Sequence, residues 1–223
     1  MNFKTDHDDS GSNQPCPLCF AASQPFFKDK NRGYNICEIC TLVFVPLTQQ
    51  LSLEEEKKRY LKHNNDPEDV RYQRFLWPVA KEVLRNHSAP ASGLDFGCGT
   101  GSPLPAMLQK HGLDMDVYDP FFAPDPKVFE KKYDFITCTE VVEHMSAPGK
   151  DIPRMWNMLR SGGGLYIKTQ FRFPDHVFTN WTYMRDLTHI TFYTKDTMKW
   201  LAEFLAAEIS FHDKGVTILR KTS

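Results

Sequence analysis

The residues of this chain whose types and spacing could do chemistry fall first at its N-terminal end. Cys16-Pro17-Leu18-Cys19 and Cys37-Glu38-Ile39-Cys40 are two C-x2-C knuckles with residues 20–36 between them, a spacing that reads as a zinc site. Two tight turns offer four thiolates, the closed tetrahedral sulfur cage that structural Zn2+ prefers, whereas a catalytic zinc would keep a position open. A redox pair or disulfides are the competing readings, and iron fits the same cage, because geometry alone does not separate the two metals. The other two cysteines, Cys98 and Cys138, read as small buried packing residues.

The second signal is Leu94-Asp95-Phe96-Gly97-Cys98-Gly99-Thr100-Gly101, an apolar strand end running into a glycine-dense turn. Turns without side chains let a backbone close onto a bound nucleotide. The glycines stand at relative positions 1, 3 and 5, not the 1, 3 and 6 of a dinucleotide fingerprint, and Ser102 holds the sixth place. No Lys-Ser/Thr pair follows, which excludes a P-loop. Met115-Asp116-Val117-Tyr118 reads as the next strand, stopped by Pro120. Asp119 at its tip lies about 20 residues beyond the loop, where such folds grip a ribose diol. An acceptor-only carboxylate can take both hydroxyl protons at once, although an aspartate before proline also reads as a turn residue.

These residues resemble the class I S-adenosylmethionine (SAM)-dependent methyltransferases, whose first motif often reads D-x-G-C-G-x-G. The resemblance runs from about Gly93 to the C-terminus. It includes residues 133–144, from Tyr133-Asp134-Phe135 through Thr139-Glu140-Val141-Val142-Glu143-His144, similar to the family's fourth strand and following helix start. Leu159-Arg160-Ser161-Gly162-Gly163-Gly164-Leu165 is similar to its "L-x-P-G-G" turn before strand five. The resemblance implies that Gly97, Cys98, Gly99 and Gly101 wrap the methionine end and ribose of SAM. Asp95 would hold the loop and the ligand's amino group, and Asp119 the ribose hydroxyls. Thr139 and Glu140 would flank the sulfonium and the mouth of the acceptor site. Glu143 reads equally as a solvated residue in a helix's first turn. The implied fold is α/β: a Rossmann-like class I methyltransferase sheet with a closing antiparallel hairpin. It departs from the family between Asp119 and Tyr133, where three prolines leave room for one short strand or none in place of strand three. The acidic residue that usually reads the adenine amino group is therefore missing or displaced. A zinc ribbon ahead of such a domain also occurs in bacterial sugar C-methyltransferases and uncharacterised relatives.

Past strand five, residues 171–193 interleave aromatics with arginines, aspartates and histidines, and Asp186-Leu187-Thr188-His189-Ile190-Thr191-Phe192 resembles the "D-x-T-H-x-x-F/Y" stretch of the ribbon-bearing relatives. Methyl transfer to oxygen or carbon needs a proton removed, and neutral imidazole accepts one near pH 7. His189 is the first candidate base, followed by His144 and His176. The bland alternative for His189 is a structural hydrogen bond pinning the loop, with Asp186 as a partner. Arg172 and Arg185 read either as anion-binding groups or as surface partners of Asp175 and Asp186.

The elements that must position these groups follow from pattern and punctuation. Tyr34-Asn35-Ile36 and Thr41 to Pro46 read as the strands of a ribbon too small for much of a core, so that its metal would supply most of its folding energy. Ser52-Leu53-Glu54-Glu55 is a capping box opening a helix to about His63. Asp66 to Asp69 caps a second helix with an apolar stripe of Val70, Phe75, Leu76, Val79 and Val83. Tyr60, Tyr72, Phe75 and Trp77 on these helices would form a lid over the SAM pocket or simply pack on the core. Thr194-Lys195-Asp196-Thr197 starts a third helix with Met198, Leu201 and Leu205 on one face, and Glu208–His212 with Val216–Lys221 reads as the closing hairpin. The chain divides into a disordered leader (1–14), a zinc ribbon (15–48), a helical linker or lid (49–90) and the SAM-dependent methyltransferase domain (91–223).

Net charge is −1, from 27 basic and 28 acidic residues, which argues against a dedicated nucleic-acid binder. No apolar run approaches transmembrane length, no signal peptide is evident, and free thiols fit a reducing compartment, so a cytoplasmic location is expected. The expected activity is SAM-dependent methyl transfer to an oxygen or carbon of a small metabolite. The alternatives are a protein or RNA acceptor recruited by the ribbon, or a non-catalytic binding module. No N-P-P-Y-type motif follows strand four, which disfavours exocyclic-amine methylation.

Overall fold

The computed structural model describes residues 14–62, 66, 68–172 and 181–222, so the leader expected over 1–14 lies outside it apart from Gln14. The ribbon consists of β1 (Ser23–Lys28), β2 (Gly33–Cys37) and β3 (Val43–Phe44), each antiparallel to the next. β1 goes beyond the sequence reading. Its alternating apolar signal is weak, and Pro25 sits inside it on the sheet's edge, where a missing N–H costs least.

The catalytic-size sheet has six strands. Those named first are β4 (Ser92–Phe96), β5 (Asp114–Tyr118), β6 (Tyr133–Thr139) and β7 (Leu159–Lys168). A short strand, β8 (Thr191–Phe192), lies outside this sheet, and β9 (Ala207–Phe211) and β10 (Val216–Lys221) close it. The order is β5-β4-β6-β7-β10-β9, parallel through β7, with β10 antiparallel between β7 and β9. Leu94, Phe135, Ile136, Leu165 and Ile167 are fully buried, as central parallel strands covered on both faces require. No strand forms between β5 and β6. Pro126–Glu130 makes a short 3-10 turn there, so strand three is absent and β5 is the edge. The glycines expected to make a turn before strand five instead lie inside β7. Gly162 adopts φ of +76° and the pairing with β6 slips between Tyr133 and Phe135, so the bend is absorbed as an irregularity of the strand.

Helix α1 (Leu53–Tyr60) begins at the expected capping box, with Ser52 and Glu55 bonded reciprocally. Helix α2 (Val70–Asn86) is capped by Asp69, whose carboxylate accepts from the Arg71 N–H. Leu76, Val79 and Val83 are buried, but Val70 and Phe75 are 56% and 43% exposed. At 3.6 residues per turn they lie about 120° and 100° around the helix from Leu76, off the buried stripe. The remaining helices are α3 (Leu104–Gln109), α4 (Pro148–Met158) and α5 (Lys195–Phe204), the last opening on a Thr194/Thr197 capping box.

The ribbon does not rely on a metal alone. β3 pairs with β8, so the ribbon sheet takes its fourth strand from the far end of the chain. Leu18, Leu42 and Phe44 belong to the same apolar core as Leu94, Ile136 and Leu165. Tyr34, Val43 and Val45 pack with Trp181, Ile190 and Phe192 in a second cluster.

Candidate functional site

The four knuckle cysteines converge as their spacing predicts. Their sulfurs all lie within 4.8 Å of one another, with Cys16 to Cys40 at 3.5 Å and Cys19 to Cys37 at 3.3 Å. All four are free thiols, at separations far beyond the roughly 2.05 Å of a disulfide. Cys16, Cys37 and Cys40 are buried. Four converging thiols fit a closed Zn2+ cage.

The second site forms at the C-terminal ends of β4, β5 and β6. Gly97 adopts φ of +80°, and a Cβ there would come within 2.4 Å of Val141, so the first loop glycine is required twice over. The N–H groups of Gly97 and Cys98 donate to the carbonyl of Tyr118 at 2.7 and 3.1 Å. Asp119 ties the same corner. One carboxylate oxygen accepts from Gly99 N–H at 3.0 Å, and the other from Phe121 and Phe122 N–H at 2.8 and 3.0 Å. Asp119 is thus a turn residue and a cavity residue at once, since it also lines the cavity above the loop. That cavity, about 740 Å3, is bounded by Gly97, Cys98, Gly99, Asp119, Thr139 and Glu140 on the strand side. It falls inside the 300–1,000 Å3 range usual for small-ligand sites. Tyr60, Tyr72 and Phe75 cover it from α1 and α2, while Trp77 is 48% exposed and takes no part. Gly101 and Asp95 do not line it.

Asp95 sits just beneath the loop. One oxygen accepts from the Thr137 hydroxyl at 2.7 Å, and Oδ2 is buried without a partner among the described residues. Burial pushes its carboxyl up to about 6. The Thr139 hydroxyl, two residues beyond Thr137 on β6, is a second buried oxygen without a partner among the described residues. Two unsatisfied buried oxygens under a glycine loop are what an absent cationic ligand would satisfy, so these residues fit SAM. Toward β5 the wall is aromatic: Tyr118 and Phe129 meet edge to face at 4.7 Å, next to the cavity-lining Asp151.

At the opposite end Glu140 holds φ of +52°, a left-handed conformation rare for a side-chain-bearing residue. Its N–H donates to Lys168 O at 2.7 Å, and its carboxylate accepts from Lys168 Nζ at 2.6 Å and lies 3.2 Å from the Tyr183 hydroxyl oxygen. Glu143 is fully buried, contrary to the solvated reading. Tyr183 donates its hydroxyl to Glu143 Oε1, and Oε2 has no partner among the described residues. Burial first, then the nearby Glu140 charge, raises the Glu143 carboxyl to about 8.

His189, 9% exposed, lines the cavity and makes its hydrogen bond not to Asp186 but to the carbonyl of Tyr183, from Nδ1 at 2.7 Å. A carbonyl can only accept, so Nδ1 carries the proton and Nε2 holds the lone pair. Burial lowers the pKa of His189, which keeps the ring neutral at pH 7. His144 lines the same wall, with Nδ1 3.0 Å from the Thr188 carbonyl, and the two rings lie 4.7 Å apart. His176, like Asp175, lies outside the described residues. Arg185 is exposed, and Asp186 is occupied by the Thr188 N–H and hydroxyl at 2.9 and 2.8 Å.

One organiser escaped the sequence reading altogether. Arg32, 4% exposed in the ribbon, donates to the carbonyls of Met184, Asp186, Leu187 and His189 at 2.8, 3.0, 3.1 and 2.9 Å. A planar fork of five donors suits that task, and nothing local to Arg32 in the sequence announces it.

Comparison with known proteins agrees with this fold. A methyltransferase domain family matches residues 68–204. A ubiquinone biosynthesis O-methyltransferase of Pseudomonas savastanoi pv. phaseolicola is 30% identical over 100 residues, 43% of this chain and 41% of the relative. A Marinobacter nauticus protein of the same name is 29% identical over 103 residues. The chain thus spans about two-fifths of the length of these curated relatives. Among solved structures, a Burkholderia thailandensis 1,6-didemethyltoxoflavin-N1-methyltransferase with bound S-adenosylhomocysteine superposes with a TM-score of 0.55 at 16% identity, covering 89% of this chain and 99% of that one. A Methanococcus maripaludis SAM-dependent methyltransferase gives 0.52 at 15% identity, covering 75% and 94%. Both show the fold alone.

Proposed function

The chain belongs to the SAM-dependent methyltransferase domain family, and on that premise we propose that it methylates an oxygen of a small hydroxylated metabolite. The single observation that carries the proposal is the pairing, across one cavity, of a cofactor loop with a proton acceptor. The orphaned Asp95 Oδ2 and Thr139 hydroxyl lie under the glycine loop, and the Nε2 lone pair of His189 belongs to the opposite wall. The names of the O-methyltransferase relatives favour oxygen over carbon as the acceptor atom.

When bound, SAM supplies an electrophilic methyl group on a sulfonium. The chain's own residues would do the rest. Gly97, Cys98 and Gly99 line the loop around the ligand with Gly101 behind them, and Asp95, beneath the loop, attracts its amino group by charge. Asp119, with three backbone N–H groups already on its oxygens, holds the loop shut and offers its remaining acceptor capacity to the ribose. Asp151 and the Tyr118–Phe129 wall take over the adenine end in place of the missing strand-three acid. Thr139 and Glu140 border the reacting centre, the latter held rigid by Lys168. His189 Nε2 would accept the acceptor's hydroxyl proton and so leave the oxygen its electron pair for the transfer, and His144 and Glu143 would set the polarity around it.

Cys16, Cys19, Cys37 and Cys40 would hold a structural Zn2+, which ties the two knuckles into the core. We place the protein in the cytoplasm, where such thiols stay reduced. No helix among the described residues is long and apolar enough to cross a membrane.

Titration calorimetry with S-adenosylhomocysteine, followed by transfer of labelled methyl from SAM to a panel of phenols and hydroxy acids, tests the reading. Micromolar binding and label on a hydroxyl oxygen are expected. No binding at millimolar ligand would overturn it.

A further inference from the structure

We infer that the Glu143, His144 and His189 cluster is a second metal centre, holding one divalent transition cation at the acceptor end of the cavity. The donor atoms of these three residues lie within 4.8 Å of one another. They come from two segments 45 residues apart in sequence (144 to 189), brought together where Ile190 N–H donates to Glu143 O at 2.8 Å.

Three features separate this cluster from ordinary packing. Both imidazoles place Nδ1 against a backbone carbonyl, of Thr188 and Tyr183, which fixes the proton there and makes Nε2 the lone-pair nitrogen. Metal-bound histidines are oriented in this way, the far N–H donated to a carbonyl or carboxylate. Glu143 is wholly buried, yet Oε2 meets no donor among the described residues, and a buried carboxylate oxygen without a cation or hydrogen bond is costly. Its other oxygen is held by Tyr183, which orients the group as outer-sphere partners orient ligands. Glu140 is not among the converging donors, and Lys168 Nζ holds its Oε1.

Two imidazoles and one carboxylate select borderline cations such as Zn2+, Co2+, Fe2+ or Mn2+ over Ca2+. Three protein ligands leave positions open, and His144 and His189 turn that open side to the cavity. The open position would take the acceptor hydroxyl. With the cation bound, the Nε2 lone pair of His189 is on the metal, so the cation takes over the proton-removing role of His189. The acceptor's O–H bond ionises, the proton leaves to solvent, and the oxygen keeps the electron pair that it gives to the methyl carbon as the C–S bond breaks toward sulfur. A vicinal diol or catechol, with two adjacent oxygens, suits such a centre best. This consequence rests on the methyl-transfer reading of the cavity; the binding of a cation does not.

The test is a Co2+ titration of protein already carrying zinc in its four-cysteine cage, followed by absorption spectroscopy and calorimetry. We expect one additional Co2+ per chain, with d–d bands but no sulfur-to-metal charge transfer. Glu143→Gln and His189→Asn should each weaken binding roughly 100-fold, at the upper end of the losses seen for groups supporting a metal. S-adenosylhomocysteine affinity, measured on every variant, reports that the fold is intact. Should a buried-site variant lose it, the less buried His144→Gln replaces that variant. Absence of saturable uptake beyond the zinc, uptake with thiolate absorption, or unchanged affinity in the variants overturns the inference. Failure to take Co2+ while S-adenosylhomocysteine still binds leaves the methyltransferase reading standing. Co2+ uptake without any S-adenosylhomocysteine binding supports the metal centre and sinks that reading instead.

Discussion

The cysteine cage and the Glu143–His144–His189 cluster are opposite solutions to gathering electron-pair donors. The cage uses four identical soft groups from two tight turns, close in sequence and walled in by the core. The cluster uses three groups of two kinds, drawn from the end of β6 and from the loop before β8, with two of them facing a cavity. A closed set of identical donors has nothing left to offer a substrate and serves the fold. A mixed set with an open side has chemistry to offer and depends on the fold to assemble it.

That contrast can be broken most forcefully at the cage. Cys37→Ser should cost more than about 4 kcal/mol of stability, in line with losses of a structural metal, and should lower both zinc content and melting temperature. A variant that melts normally without zinc would erase the distinction between the sites. His189→Ala should do the reverse, lowering turnover roughly 10²- to 10⁴-fold, the usual share of a proton-transfer group, while S-adenosylhomocysteine affinity stays unchanged. Steady-state kinetics with wild-type turnover would remove His189 from the chemistry. Asp119→Ala should weaken S-adenosylhomocysteine by roughly 10- to 100-fold, since the Gly99 N–H loses a charged acceptor of about 1.5–3 kcal/mol. Calorimetry reads this directly.

The smallest effect is in pH. Burial raises the Asp95 carboxyl to about 6, and only the ionised form attracts the ligand's ammonium group. Affinity should therefore be full above pH 7 and fall as pH drops through 6. By pH 5 it should be roughly tenfold weaker, one pKa unit's worth. A flat profile between pH 7.5 and 5 would detach Asp95 from the ligand.

Features set by neighbours in sequence were legible, and features set across the fold were not. The knuckle turns, the Ser52 capping box, the helix start at Thr194 and the closing hairpin depend on spacings of a few residues, and all stand where the sequence puts them. Glu143 reads equally as a solvated residue in sequence because the groups that bury it, Tyr183 and Ile190, arrive some 40 residues later. Hydrophobicity puts Val70 and Phe75 on the apolar stripe of α2, whereas the helix rotation turns them away from its buried face. β8 has two residues, too short for any pattern, and owes its existence to an open edge on β3. Arg32 is one basic residue among 27, and only the four carbonyls around it reveal its task.

The clamp of Arg32 on the loop carrying His189, together with the strand that β8 lends to the ribbon, has a consequence for engineering. The ribbon and the acceptor wall were never separable parts. A chimera that transplants only residues 181–193 from a relative would arrive without the guanidinium that shapes its backbone. One that transplants only the ribbon would leave β8 without its host. Swapping acceptor preference in this scaffold means exchanging two distant stretches of sequence as a single cassette.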